Sequence, residues 1–308
     1  MRPTLLVPLA LAGLLGVTGC YIDEFGGFGR FTRDFHYSYA LKPDGRLSIE
    51  GFNGSIDVAG WDQNMVDITG TKYAPSQDAA EALKIEIDTT PDSLSVRAVR
   101  PAELHGNRGA RFSVKMPRRA VLDLLRTSNG QIHVTDGAGP ARFRTSNGSV
   151  RVEGFSGRLD AQTSNGAVEL TDVTGEVTVR TSNGHIHTDN LKGSLEAHTS
   201  NGTITAGLAD AGDRPLRLES SNGAVDLTLP SKFNNDVRVS TTNGHITLHL
   251  QPGLNARVLA RTNNASVTSD FEVRQSEIRR NRMDGVIGYG GPLLDLTTSN
   301  AGIRLARM

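Results

Sequence analysis

Few residues in this sequence have types that could do chemistry, and their spacing decides what they could do. His185 and His187 stand two apart in "GHIHTD", so on a strand they project from one side, with Glu169 beside His187 one repeat earlier. That set is the best candidate for zinc or copper. It lacks an evident third fixed ligand and supporting hydrogen bonds, so two solvated histidines are the simpler reading, and no metal or other cofactor is expected. Glycoside hydrolysis would need two carboxylates within about 5–10 Å. Asp136 and Asp172 miss each other with Gly154 between them, as do Asp160 and Glu196 with Thr178 between. "GYGG" at Gly288 to Gly291 lacks the strand-to-helix setting of a phosphate cradle, and the glycine–aspartate pattern of calcium-binding solenoids is missing. No catalytic residue is assigned and no enzyme is expected.

What must position these side chains is a repeat. Asn129 with Gly130, Asn147 with Gly148, Asn165 with Gly166, Asn183 with Gly184 and Asn201 with Gly202 recur at steps of 18 residues; Asn222 with Gly223 and Asn243 with Gly244 follow at steps of 21. "RTNNASV" adds Asn264 and "TTSNAGI" adds Asn300, while Asn53 in "LSIEGFNGSIDV" extends the pattern backwards. A fixed period near 20 residues marks a solenoid. Apolar residues fall six and four before each asparagine and three and five after it, as in Leu159, Ala161, Val168 and Leu170. Period two on both sides of a turn gives two strands per rung, each with one face inward. The expectation is an all-β, parallel β-solenoid with 18–21-residue rungs and strands about 4.8 Å apart. The asparagines should form a turn ladder of stacked amides, with Asn-Gly taking positive φ. Thr127, Thr145, Thr163, Thr181 and Thr199 share the inward register and should form a hydroxyl ladder at the sheet edge.

Residues 34–118 read as a β-rich, irregular capping part with one short helix in "PSQDAAEALK", N-capped by Ser76; residues 119–308 carry the repeats, interrupted by an inserted loop at 270–292. That loop should fold over the last rungs, because bare solenoid ends invite aggregation.

With 33 basic and 33 acidic residues the chain is neutral, which implies no nucleic-acid partner. Arg2, an apolar run from Leu5 to Val17 and "VTGC" ending at Cys20, the only cysteine, read as a secretory leader over residues 1–19 followed by a flexible tether over 20–33. "VTGC" resembles the bacterial lipobox, which implies acylation of Cys20 and a lipid-anchored envelope protein; Tyr21 after the cysteine, rather than aspartate, implies the outer membrane.

With the "TSNG" repeats laid out, the chain resembles the bacterial putative-adhesin family, a domain of unknown function found in exported or lipid-anchored proteins, over roughly residues 40–308. The resemblance implies the solenoid and brings no catalytic residue. The working surface is expected on the outward positions before the asparagines, where Arg126, Arg142, Arg144, Arg180, Arg217, Arg238 and Arg261 gather; the face after them carries His133, His185, His187 and His245 with Arg151. The expected function is adhesion or scaffolding at the envelope by a membrane-anchored, non-enzymatic protein, with an anionic polysaccharide or another envelope protein as partner. The rivals are a sensor that regulates a membrane protein and a carbohydrate-active enzyme.

Overall fold

The computed structural model describes residues 31–99 and 106–308; Cys20, the leader and residues 20–30 of the tether lie outside them. Within the described residues the chain is almost entirely β. Each rung has a leading strand before its asparagine and a trailing strand after it, and each strand pairs in parallel with its equivalents in the neighbouring rungs. Leu159 in the leading strand lies between Ala141 and Val177, and Val168 in the trailing strand between Val150 and Ile186. Two sheet flanks result, with one apolar core between them. Ile132, Val150, Val168, Ile186, Ile204, Val225 and Ile246 form one column of that core, and Leu159, Val177, Leu195, Leu216 and Val237 line the other flank, each no more than 2% exposed. Burying such side chains contributes roughly 1.5–3 kcal/mol each.

The turn owes its sequence to crowding. The "TSNG" glycines Gly130, Gly148, Gly166, Gly184, Gly202, Gly223 and Gly244 are not among the positive-φ residues, which corrects the expectation of a left-handed Asn-Gly turn. A Cβ on Gly184 would stand 1.8 Å from the carbonyl oxygen of Gly166 one rung below, and the other glycines of the column are as tight. Left-handed backbone sits at the opposite corner instead, at Asp136, Gly154, Asp172 and Asn190, with φ between 53° and 63°.

Two side-chain ladders lock the turns. Asn147, Asn165, Asn183 and Asn201 each donate an amide hydrogen to the asparagine of the rung before, at 2.6–2.7 Å. Just inside, Thr145, Thr163, Thr181 and Thr199 are buried and donate to the glycine carbonyls of the rung before, at 2.9–3.2 Å. A rung with any other turn would leave its neighbours' donors unpaired.

At both ends chain order and stacking order part. Asn53 stacks directly on Asn129, its Oδ1 accepting a hydrogen bond from the Asn129 amide at 2.5 Å, and the strands Arg46–Glu50 and Ile56–Trp61 pair with Val121–Arg126 and Ile132–Thr135. The sheets therefore cross residues 118 and 119 without a break. The later strands Ser93–Val99 and Gly109–Pro117 lie outside Asn53, and Asn53 donates to the carbonyl of Arg108 at 2.8 Å. At the other end Asn300 sits between Asn243 and Asn264, donating to the first at 2.6 Å and accepting from the second at 2.7 Å. Antiparallel strands close both flanks of the first end and the leading flank of the second. Phe31–Ala40 and Met65–Ala74 cover one flank at the first end, Lys84–Thr90 the other, and the helix Gln77–Ala82 is capped by Ser76, whose hydroxyl accepts from Ala79 N at 3.2 Å. The segment expected as a loop at 270–292 contains a hairpin, Arg274–Arg279 with Arg282–Ile287, laid antiparallel along Ala256–Arg261.

Candidate binding faces

The rungs turn outward side chains into columns whose charges meet across neighbouring strands. On the leading face, five of the seven sequence-selected arginines are held by carboxylates. Arg144 grips both oxygens of Asp160, Nη1 reaching Oδ1 at 3.1 Å and Nη2 bonding Oδ2. Arg180 bonds Glu196 at 2.6 Å and Arg217 bonds Glu219 at 2.7 Å. Arg238 and Arg261 converge on Asp295 at 3.3 and 3.5 Å, because the rung of Asn300 is inserted between theirs. Among the described residues only Arg126 and Arg142 of that set have no carboxylate partner, so the face is a mixed-charge lattice over most of its length and not a continuous cationic strip. Exposed pairs of this kind add roughly 0–1 kcal/mol each, so they order the surface more than they stabilise it.

Sequence inspection missed Arg158. It precedes the strand Leu159–Gln162, is exposed, shares the outward parity of Asp160 and has no carboxylate partner among the described residues. Its position seven before Asn165 falls outside the two columns the repeat made conspicuous, although the alternation of apolar Leu159 and polar Asp160 already pointed it outward.

On the trailing face a chain of charges runs across the rungs. His133 lies 3.9 Å from Asp57 and 3.5 Å from Glu153; Arg151 bonds Glu153 at 2.6 Å and stands 3.6 Å from Glu169, which is 3.8 Å from His185. The Arg151 guanidinium holds the Glu153 carboxyl below the usual carboxylate range, with His133 adding to the effect. Glu153 and Glu169 thus share one arginine, and the lowered Glu153 carboxyl is the reverse of the raised value a general acid requires. His187 lies in register with Glu169, but His185, His187 and Glu169 do not close on a common point, and no group of three or more metal-capable side chains occurs among the described residues. Asp160 and Glu196 share a column with Thr178 between them, each tied to its arginine.

Concavity is slight. One depression on the leading face, about 390 Å³, is floored by Arg180, Glu196, Ala197, His198, Arg217 and Glu219. It is partly open to solvent and five of its six lining residues are charged or histidine, unlike the largely hydrophobic, enclosed sites of small ligands. No helix among the described residues is long and apolar enough to cross a membrane.

Comparison with known proteins agrees with the repeat. A family model described as Toastrack DUF4097 matches residues 53–235, more than half of the chain. No curated protein matches. Among solved structures, the chain is similar to a putative cell adhesion protein from Clostridium sporogenes, at 10% identity, with 89% of this chain and 100% of that chain covered and a TM-score of 0.25. It is also similar to a putative adhesin from Bacteroides fragilis, at 13% identity, with coverage of 89% and 97% and a TM-score of 0.46. The matched family segment begins at the asparagine that founds the ladder.

Proposed function

Because the chain belongs to the Toastrack DUF4097 family, whose repeating rungs organise both faces, we propose that it is a non-enzymatic lipoprotein of the bacterial envelope that displays a rigid slab for adhesion or scaffolding. The observation that carries this reading is the paired ladder: amide and hydroxyl columns fix every rung against the next, so outward side chains keep a set spacing over the length of the stack. Such a surface suits an extended partner met at many weak points. Open, ion-paired faces with carboxylates committed to arginines supply neither an enclosed pocket nor a poised acid, which supports binding over catalysis.

Anchoring at Cys20 would hold the slab at the membrane, each buried methylene adding about 0.8 kcal/mol. Expression of the full chain and of Cys20→Ser in a bacterial host, followed by fractionation and mass spectrometry of the mature N-terminus, tests the anchor. The expected result is an acylated Cys20 at the N-terminus and release or non-cleavage of the variant; an unmodified Cys20 with cleavage elsewhere overturns it. Binding of the purified full chain to isolated envelopes tests the surface, and absence of binding overturns adhesion and scaffolding together.

A further inference from the structure

The leading face conceals an unequal distribution of charge. Arg126, Arg142 and Arg158 are 16 residues apart, two short of the 18-residue rung, so each lies one rung up and two residues back from the last. That places them on a diagonal across consecutive rungs, with a step of about 8 Å from the strand spacing and the rise per residue.

Each of these arginines is next to a carboxylate that another arginine already occupies. Arg126 is in register with Glu50, whose carboxylate is paired with Arg97 at 3.4 Å. Arg142 is in register with Asp160, which Arg144 takes by both oxygens. Arg158 lies alongside Glu176, the residue before Val177 that partners Leu159, and Glu176 is held by Arg214 at 2.8 Å. Among the described residues, three exposed guanidinium groups therefore lack a counter-charge on an otherwise balanced face. Their forks match carboxylate or sulfate groups, and their line crosses the strands obliquely on rigid supports.

We propose that Arg126, Arg142 and Arg158 form a diagonal docking line for an acidic polysaccharide, a chain that bears a negative group at short, regular intervals. The inference rests on the reading of the protein as an envelope-binding slab, and gives that slab a ligand class and a place. Charge complementarity selects the partner: a neutral glycan gains nothing from the line, and a compact anion would engage a single arginine. The five paired arginines of the same face frame the line, contributing order but little net charge.

The test compares two variants of equal charge in the full chain, kept in neutral detergent. Arg126→Ser, Arg142→Ser and Arg158→Ser combined remove the line; Arg180→Ser, Arg217→Ser and Arg261→Ser combined remove three paired arginines. Binding is measured on immobilised alginate, dextran sulfate and unmodified dextran, after circular dichroism shows both variants folded. The expected result is about a tenfold or greater loss for the first variant and less than about threefold for the second, with the difference shrinking as salt rises past roughly 0.1 M. Loss on alginate alone identifies carboxylate as the anion, and loss on both acidic polymers identifies charge density. Equal losses in the two variants, equal binding of wild type to dextran, or no binding to either acidic polymer overturns the proposal. Isolated envelopes form a further arm. If they retain wild type and the first variant equally, the docking line is wrong while the envelope-binding reading stands; if they retain neither protein, that reading fails.

Discussion

A methyl group on Gly184 would have nowhere to go, because its carbon would meet the Gly166 carbonyl oxygen at 1.8 Å and that carbonyl belongs to backbone fixed by the Thr181 hydroxyl. Gly184→Ala is expected to cost at least about 3 kcal/mol, at the upper end of overpacking, since two backbones must separate. Gly253→Ala is the control: its φ of 81° strains any side chain, but nothing lies within 4 Å, so a loss of about 1–2 kcal/mol is expected. Thermal unfolding of the two variants decides, and equal losses would mean that crowding does not set the turn. Thr188 offers the opposite change. It is buried in register between Leu170 and Ala206, and its hydroxyl has no hydrogen-bond partner. Thr188→Val, nearly the same shape, should stabilise the protein by about 1 kcal/mol by removing a desolvated oxygen; an unchanged or lowered melting temperature would show that the hydroxyl is satisfied. The repeat made these positions visible in the sequence but not their physics. A glycine chosen for left-handed φ and one chosen for close approach read alike, and the arginines' partners depend on neighbours no single rung reveals.

Strands and turns were legible because a period of two inside a longer period leaves little choice: the burial alternation at Ile186–Thr199 follows the letters of that stretch. The end elements were less so, since their contacts are made with segments remote in sequence. Asp270 shows how one such element is held. Its backbone N–H donates to the Leu305 carbonyl at 2.9 Å, its carboxylate accepts from Arg304 at 3.2 Å and from the Arg307 N–H at 3.3 Å, and its carbonyl accepts from the Arg307 guanidinium. The Arg304 hydrogen bond, then the Arg307 backbone bond, hold the Asp270 carboxyl below its ordinary value. A lowered folded value means that the contribution is present above the unfolded value of about 3.9 and is lost as pH falls through the folded one. Hydrogen exchange at Ile303–Arg307 should therefore accelerate on acidification below about pH 4 more than exchange at Ile204–Asp210. Asp270→Asn should show the faster exchange already at neutral pH. The same acid response in wild type and Asp270→Asn would place the sensitivity elsewhere.

Over the whole molecule, the repeat specifies that rungs stack without specifying which rung follows which. Asn264 and Asn300 both carry the motif, and either could sit on Asn243; the structure puts Asn300 there although Asn264 comes first in the chain. Asn53 is likewise enclosed between later segments at the opposite end. Each end thus closes by fitting a rung inside a segment that precedes or follows it, and that order could not be read from spacing. On both flanks of the first end and on the leading flank of the second, the arrangement leaves antiparallel strands outermost, covering edges that parallel rungs would expose; the trailing flank of the second end finishes in the short strand Val267–Ser269. It also makes the last strands structural in a way their position hides. Leu293–Thr297 is the bridge between Val237–Ser240 and Ala256–Arg261, and Ile303–Arg307 is the bridge between Ile246–Leu250 and Val267–Ser269. In a solenoid stacked in chain order, deleting residues 292–308 would remove one terminal rung and leave the rest protected, because each repeat rests on its nearest neighbours. Here the deletion should detach the rung of Asn264 as well: Val267–Ser269 loses its parallel partner, and Ala256–Arg261 keeps only the hairpin strand Arg282–Ile287. Hydrogen exchange on the truncated chain is expected to show loss of protection across residues 256–269 with residues 132–228 unchanged. Retained protection at 256–269 would mean that the rung of Asn264 can settle directly on that of Asn243, so that the inserted order is a preference among near-equal stackings and not a requirement of the fold.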